Sequence, residues 1–216
     1  MMKTLTFALV AGLASAASAE VITSYALFGA TGDQVFQAPA SAAAGVSGLD
    51  LTRGPGLGAS AAGNSFSANG WSSDQSQDYF SFGFTVDAGS SVDLESLWLG
   101  SRSSNTGPGF LGLFYSGDGF TTSLFDFVQV GTAFNNSIID LSGLTGLTGT
   151  VEFRIAALND VSANGGTISS GGTFRIGDHF DGTNFSEVRF EGTVIPAPGA
   201  VALLGLGGLV ATRRRR

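Results

Sequence analysis

The stretch DYFSFGFTV, residues 78–86, decides the fold class of this chain. Its apolar side chains occupy every second position, and Ser, Gly and Thr stand between them. A period of two indicates a β-strand with one buried face, because successive side chains of a strand point to opposite faces. The stretches 150–156 (TVEFRIA) and 187–194 (EVRFEGTV) alternate in the same way and predict two further strands of this kind.

Shorter apolar runs predict the remaining strands, and turn residues separate them. These runs cover residues 21–27, 92–99, 110–115, 124–130, 138–141 and 173–176. The sequence SGDG around Asp118 predicts a hairpin between the third and fourth runs. No segment of ten or more residues in the middle of the chain has the 3.6-residue period of a helix. We therefore predict an all-β fold, a jelly-roll-like sandwich of two antiparallel sheets with nine or ten strands.

Composition limits the function classes. The 33 glycines of 216 residues are about twice the usual ~7% and fit short strands with tight turns. The chain has no cysteine, so packing rather than disulfides must hold the fold. All seventeen acidic residues but only five arginines lie in residues 20–195, a formal charge of −12 against −7 for the whole chain. Such a charge repels nucleic acid, which we do not expect as a partner.

The N-terminal segment 1–19 has the layout of a secretory signal peptide. Lys3 gives a positive start, residues 5–13 are apolar, and small residues stand at Ala17 and Ala19. This layout predicts a signal helix, export by Sec-type machinery and cleavage after Ala19.

The C-terminal segment 196–216 combines a proline motif, an apolar run and an arginine cluster. The motif is Pro196, Ala197 and Pro198, and the membrane segment with its stop includes Ala200, Leu203, Leu204, Leu206, Leu209, Arg213, Arg214, Arg215 and Arg216. As a helix the uncharged run 200–212 would be about 20 Å long, against about 30 Å of hydrocarbon. Terminal arginines stay on the cytoplasmic side. We therefore predict a short apolar helix that anchors the exported chain in the inner membrane, transiently or permanently.

This tail resembles the PEP-CTERM sorting signal of Gram-negative bacteria that produce exopolysaccharide. This chain has Pro-Ala-Pro where the family has Pro-Glu-Pro. The resemblance implies processing by an exosortase-like membrane protease and delivery to the cell surface or extracellular matrix, with exopolysaccharide as a partner. It divides the chain into a signal peptide (1–19), a β-sandwich domain (20–195) and a sorting tail (196–216).

The middle of the chain, about residues 49–195, resembles a β-sandwich domain that recurs in front of such tails. The motifs that match are NGW, DYFSFGFTV, GPGFLGLFYSGDGF and GGTFRI. Related jelly rolls include lectin-like and carbohydrate-binding modules, so the resemblance implies glycan binding as one function. Such domains run RIDNV straight into their last strand, whereas this chain has the longer, polar RIGDHFDGTNFSEVRF at 175–190.

That polar connection contains the densest group of candidate ligands. Asp178, Asp181 and Asn184 supply oxygen ligands of the type that Ca²⁺ prefers, although their spacing differs from that of an EF-hand loop. An ordinary solvated loop is the alternative, and we expect no other cofactor. Trp71 and Trp98 are candidate platforms on which a sugar could stack, and packing in the core is the alternative for both.

No enzyme motif is present in the sequence. A glycosidase needs two carboxylates about 5–10 Å apart, whereas Glu187 and Glu191 are separated by roughly 13 Å of strand. The favoured function is therefore non-enzymatic, that of a structural or adhesive protein of the cell surface or extracellular matrix, with weak glycan or calcium binding as an additional hypothesis. The alternative is a secreted carbohydrate-active enzyme with an unrecognised carboxylate site. Ice binding would need a regular threonine array, which the scattered threonines do not form.

Overall fold

The computed structural model describes residues 19–131 and 133–197, and these residues fold into two β-sheets packed face to face. The strands are β1 (Glu20–Tyr25), β2 (Ser41–Ala42), β3 (Val46–Arg53), β4 (Gly58–Ala59), β5 (Phe66–Asn69), β6 (Tyr79–Val86), β7 (Ser90–Ser103), β8 (Phe110–Tyr115), β9 (Phe125–Val128), β10 (Asn135–Asp140), β11 (Gly149–Ala157), β12 (Phe174–Gly177), β13 (His179–Phe180), β14 (Phe185–Ser186) and β15 (Val188–Pro196). The described residues contain no α-helix, only a short 3-10 turn at Ser116–Asp118. The predicted all-β, antiparallel class is confirmed. The strand number exceeds the predicted nine or ten, partly because four strands have only two residues.

The strands form a larger and a smaller sheet. The larger sheet has the order β2-β1-β15-β7-β12-β5-β4, with β10 also paired to β7. The smaller sheet has the order β3-β6-β11-β8-β9, and β13 and β14 form a separate two-stranded hairpin. Within the smaller sheet, β8 and β9 are paired antiparallel, which confirms the hairpin predicted around Asp118.

The core lies between the sheets and is rich in phenylalanine. The rings of Phe82, Phe84 and Phe153 from the smaller sheet lie 4.9–5.7 Å from the ring of Phe190 in the larger sheet. All four side chains are fully buried, as the alternation of their strands predicts. Fully burying one such ring contributes about 1.5–3 kcal/mol, so these rings are a main source of stability in a chain without disulfides.

The long strand β7 organises the larger sheet. One of its edges pairs with β10. On its other edge, residues 90–98 pair with β15 and residues 100–103 pair with β12. β12 and β15 therefore lie end to end beside β7, as two halves of one strand path. The chain leaves that path after Gly177 and rejoins it at Val188.

The predicted signal segment and sorting tail fall largely outside the described residues. The two helices expected to flank the domain fall in positions 1–18 and 198–216, which lie outside the described residues. At the described ends, β1 begins at Glu20, and Pro196 closes β15 opposite Ser90. No helix in residues 19–131 or 133–197 has the length and apolar character needed to cross a membrane.

Candidate functional site

The excursion between β12 and β15 forms a hairpin on the outer face of the larger sheet, the face turned away from the core. In this hairpin His179 pairs with Ser186 and Phe180 pairs with Phe185. Gly182 has a φ of 97°, a left-handed value that glycine adopts without strain, and it lies in the tip. The polar connection noted in the sequence is therefore an added hairpin.

A cleft of about 430 Å³ lies between this hairpin and the sheet. It is lined by Phe28, Gly63, Asn64, Phe134, Asn136, Arg175, Asp178, Phe180 and Phe185. Its volume falls within the range of about 300–1,000 Å³ that is typical of small-molecule sites. The mixture of aromatic rings with a few fixed polar groups is also typical of such sites.

Four phenylalanines form the walls of the cleft and remain accessible to solvent. The exposed fractions are 65% for Phe28, 57% for Phe185, 41% for Phe134 and 38% for Phe180. The ring of Phe185 lies 5.3 Å from that of Phe28 and 4.7 Å from that of Phe180, so these three form one continuous wall. Exposed aromatic clusters of this kind on a folded domain mark binding surfaces.

Two glycines of the larger sheet lie beneath the Phe134 ring, which lines the cleft. Gly100 and Gly177 face each other across β7 and β12. A Cβ atom at Gly100 would lie 2.7 Å from the carbonyl oxygen of Asp178 and 3.3 Å from the ring of Phe134. A Cβ atom at Gly177 would lie 2.9 Å from the carbonyl oxygen of Asn64. The absence of side chains at both positions thus allows the Phe134 ring to rest on the sheet.

Hydrogen bonds to the backbone hold the polar groups of the cleft in place. Asn136 accepts a bond of 2.9 Å from the amide of Phe180 and donates one of 2.6 Å to its carbonyl oxygen, which fastens the hairpin to β10. The side-chain oxygen of Asn64 accepts a bond of 2.8 Å from the amide of Gly29. These contacts preorganise the cleft, so a ligand would spend little free energy on ordering it.

Asp178 stands at the base of the hairpin and is nearly buried. Its two carboxylate oxygens accept hydrogen bonds from the amides of Leu27 (3.1 Å) and Phe28 (3.2 Å). Burial raises the pKa of Asp178, the charge of Glu187 raises it further, and the amide bonds partly oppose the shift. The carboxylate therefore fixes the end of β1 against the hairpin.

Two of the three residues predicted to bind Ca²⁺ have carboxylates that accept hydrogen bonds from backbone amides. Asp178 accepts them from the segment that follows β1, whereas Asp181 accepts bonds from the amides of Thr183 (2.8 Å) and Asn184 (2.7 Å) within the hairpin tip. These amide bonds lower the pKa of Asp181. In the described part of the chain, no group of three or more His, Cys, Asp or Glu side chains is arranged to hold a metal ion.

The two tryptophans are not open stacking platforms. Trp71 is 3% exposed, donates its indole N–H to the carbonyl oxygen of Ala68 (2.9 Å) and packs in the core. Trp98 does lie on the outer face, but the guanidinium of Arg189 lies 4.2 Å from its ring centre and His179 packs edge-on against it at 5.0 Å. Trp71 is thus buried and Trp98 is in contact with two side chains, whereas the exposed rings of the cleft belong to phenylalanines.

Glu187 and Glu191, the carboxylates considered for an enzyme, line a separate and more open groove of about 450 Å³. Glu187 accepts a hydrogen bond from Ser24. Glu191 forms a salt bridge of 2.7 Å with Arg189 and accepts a bond of 3.2 Å from Ser96. Both carboxylates are therefore engaged in contacts within the protein.

Comparison with known proteins adds a distant structural similarity. No family model matches this sequence, and no curated protein matches it. A solved structure similar to this chain is a mutant of a family 29 carbohydrate-binding module, made to probe how that module recognises its ligand. The identity is 13%, the TM-score is 0.37, and the match covers 82% of this chain and 92% of the module.

The cleft residues Phe28, Phe134, Phe180 and Phe185 were missed by the sequence analysis, which looked for tryptophan. A signal was present, because Phe180 and Phe185 are large apolar residues within an otherwise polar connection. Nothing local in the sequence, however, brings Phe28 or Phe134 to the same place, since that depends on the pairing of distant strands.

Proposed function

We propose that this protein is a non-enzymatic glycan-binding protein of the bacterial surface or extracellular matrix, and that the cleft under the β13–β14 hairpin is its binding site. The observation that carries the proposal is the combination, in one preorganised cleft, of four exposed phenylalanine rings with amide and charged side chains. Sugar rings have apolar C–H faces that stack on aromatic rings and hydroxyl groups that need polar partners, so they fit such a lining.

The polar partners in the cleft suit hydroxyl groups. Asn64 and Asn136 each have a side-chain amide at the cleft, and Arg175 adds a planar group of N–H donors. The volume of about 430 Å³ suits one or a few sugar units rather than a long chain laid flat on the sheet. We infer recognition of a short segment or chain end of a polysaccharide.

A catalytic role has no comparable support. The carboxylates Glu187 and Glu191 are tied to Ser24 and Arg189, and Asp178 is tied to backbone amides. Glycoside hydrolysis uses one carboxylic acid and one free carboxylate on opposite sides of the scissile bond. A binding function requires neither and fits a cleft whose open surface is aromatic.

Export and surface sorting form the second part of the proposal and rest on the sequence of the two ends. The signal-like segment 1–19 and the PEP-CTERM-like tail 196–216 would place the sandwich outside the inner membrane, where polysaccharide is available. The tail would be processed by an exosortase-like protease or remain as an anchor.

The binding site can be tested by affinity electrophoresis of the full chain through gels that contain soluble polysaccharides. Retardation by at least one polysaccharide is expected. Phe134→Ala and Phe185→Ala should each weaken binding of that polysaccharide by about tenfold or more, since aromatic side chains that become buried on binding contribute much of the binding energy. Phe125→Ala is the matched control, because Phe125 is a partly exposed phenylalanine on the smaller sheet. Equal effects of all three substitutions, or no retardation by any glycan, would refute the site.

Sorting can be tested by the intact mass of the protein in the extracellular and membrane fractions of its native host. We expect a surface or extracellular product that has lost about two kilodaltons from each end. A product that retains Arg213–Arg216 in the inner membrane would contradict sorting and indicate a simple anchor.

A further inference from the structure

Two arginines stand directly opposite each other on the outer face of the larger sheet. Arg175 of β12 pairs with Arg102 of β7 in the antiparallel register. Directly opposed side chains on one face have Cβ atoms about 4.5–5.5 Å apart, and like charges in this arrangement destabilise the sheet. The pair therefore needs an explanation that strand stability does not give.

Neither guanidinium is neutralised by a residue that the structure describes. Arg102 and Arg175 form no salt bridge and no side-chain hydrogen bond with any residue in positions 19–131 and 133–197. Arg175 lies over the Phe134 ring, with its guanidinium 5.0 Å from the ring centre. Burial lowers the pKa of Arg175, and the positive charge of Arg102 lowers it further. In a domain with seventeen acidic residues, this local excess of positive charge is unusual.

A buried hydroxyl group completes the same row of side chains. Ser67 of β5 pairs with Arg175 on the side opposite Arg102, so the three residues follow one another across three adjacent strands. The hydroxyl of Ser67 is buried, its residue being only 1% exposed, yet it has no hydrogen-bond partner. A buried polar group without a partner is unfavourable, and a bound ligand that supplied a partner would recover this cost.

These three residues line a groove that adjoins the aromatic cleft. The groove has a volume of about 290 Å³ and contains no acidic side chain; its lining is Ser60, Ala61, Ala62, Ser67, Arg102, Ser103, Ser104, Thr173 and Arg175. Arg175 lines both the groove and the cleft, so one ligand can reach both.

We propose that the Arg102–Arg175 groove binds the anionic group of an acidic sugar whose ring lies in the adjoining aromatic cleft. Guanidinium groups bind carboxylate and sulfate through paired N–H bonds, and the free hydroxyl of Ser67 supplies one more donor. The inference rests on the proposed glycan-binding function and gives it a substrate class: polysaccharides that carry uronic acid or sulfate groups.

The test compares charged glycans with neutral ones of the same backbone. One arm uses galacturonic acid oligomers against their methyl esters, and the other uses dextran sulfate against dextran, with binding to the full chain measured by calorimetry. We expect at least a tenfold preference for the charged member in one arm, which also identifies the anionic group. Because the protein carries a large negative charge, nonspecific electrostatics would favour the neutral member instead.

Substitutions locate the preference. Arg102→Gln should reduce binding of the charged glycan by about tenfold or more and leave binding of its neutral counterpart nearly unchanged. Arg175→Gln, which also removes donors from the aromatic cleft, should weaken binding of both glycans but reduce binding of the charged one more. Arg154→Gln is the matched control, with the same loss of charge on the smaller sheet, and it should keep the preference. An equal loss in all three variants would refute the groove as the anion site.

The outcomes also separate the inference from the proposed function. If charged and neutral members bind equally well, or only neutral glycans bind, the anionic subsite is wrong while glycan binding stands. If no glycan binds in either arm or in a wider polysaccharide panel, both are wrong.

Discussion

Arg154 and Arg175 lie on the outer faces of the two opposite sheets, and their surroundings differ in one respect. The guanidinium of Arg154 lies between the rings of Tyr79 and Phe120, 4.1 and 4.0 Å from their centres. It also forms a salt bridge of 2.8 Å with Glu152, which in turn accepts a bond from Ser81. Arg175 has a ring contact with Phe134 but no salt bridge with any residue of the described ranges 19–131 and 133–197.

This difference teaches how to separate a structural charge from a functional one. Arg154 has all its partners within the protein, so it stabilises the face on which it lies. Arg175 shares the cleft with a carboxylate, that of Asp178, yet backbone amides occupy that carboxylate. The Asp178 carboxylate thus forms no salt bridge with Arg175, an arrangement that fits a guanidinium kept available for a ligand.

The largest effects concern the core phenylalanines beside the two arginines. Phe153→Ala and Phe174→Ala remove fully buried rings, and each should lower the free energy of unfolding by about 3–5 kcal/mol. Urea unfolding of the two variants measures this. A cost below about 1 kcal/mol for Phe174→Ala alone would show that the core beneath Arg175 is loosely packed. The surroundings of Arg154 and Arg175 would then not be comparable.

The next effect contrasts two buried serines of the larger sheet. Ser103 donates a bond of 2.6 Å to the carbonyl oxygen of Pro108, so Ser103→Ala should cost about 1–3 kcal/mol. Ser67→Ala removes a buried hydroxyl without a partner and should leave the free energy of unfolding unchanged or raise it by up to about 1–3 kcal/mol. A loss for Ser67→Ala as large as that for Ser103→Ala would mean that the Ser67 hydroxyl is already satisfied.

A smaller effect contrasts the arginines themselves. Arg154→Gln should cost about 0.5–1 kcal/mol, since it removes a partly exposed ion pair and its ring contacts. Arg102→Gln should leave stability unchanged or raise it by a few tenths of a kcal/mol, because it relieves like-charge repulsion across β7 and β12. Thermal unfolding without glycan tests both, and a clear loss for Arg102→Gln would assign that residue a structural role.

The smallest effect is a pH dependence at Asp178. Its pKa is raised in the folded protein above the ordinary value of 3.8, so the folded state binds this proton more tightly than the unfolded state. The stability contribution of Asp178 is therefore fully present below about pH 3.8 and is lost as the pH rises through the folded pKa.

Asp178→Asn abolishes that titration. The free energy of unfolding of the wild type relative to Asp178→Asn should thus fall between about pH 3 and pH 6, as measured by urea unfolding at several pH values. The exposed carboxylates with lowered pKa values, such as Asp118 and Asp181, act in the opposite direction but are common to both proteins. A difference that stays constant with pH, or rises, would contradict the prediction.

The sequence predicted the strands that alternate strongly. The stretches 78–86, 150–156 and 187–194 correspond to β6, β11 and β15, because large apolar side chains at every second position leave one arrangement that buries them all. The strands β3 and β5 were not predicted. Their sequences, VSGLDLTR and FSAN, have small or polar residues at several positions, and β3 contains a bulge between Leu49 and Thr52.

The candidate site, like the strands, was predicted from the sequence only in part. The sequence showed the densest group of candidate ligands in the connection 178–187, and part of the cleft lies on this connection. The two tryptophans proposed as sugar platforms are not open to solvent on the cleft, however. Burial of Trp71 and the cover over Trp98 depend on neighbours from other strands, which a local pattern does not contain.

By itself, the sequence determined the all-β class, the buried face of its strongest strands and the acidic charge of the domain, because these follow from the order and type of neighbouring residues. The tertiary structure alone decided that Phe28, Phe134, Phe180 and Phe185 share one cleft and that Arg102 faces Arg175. The physical reason is strand register. Arg102 and Arg175, which are 73 positions apart in the sequence, come into cross-strand contact only once β12 pairs with β7, and no property of either residue alone specifies that pairing.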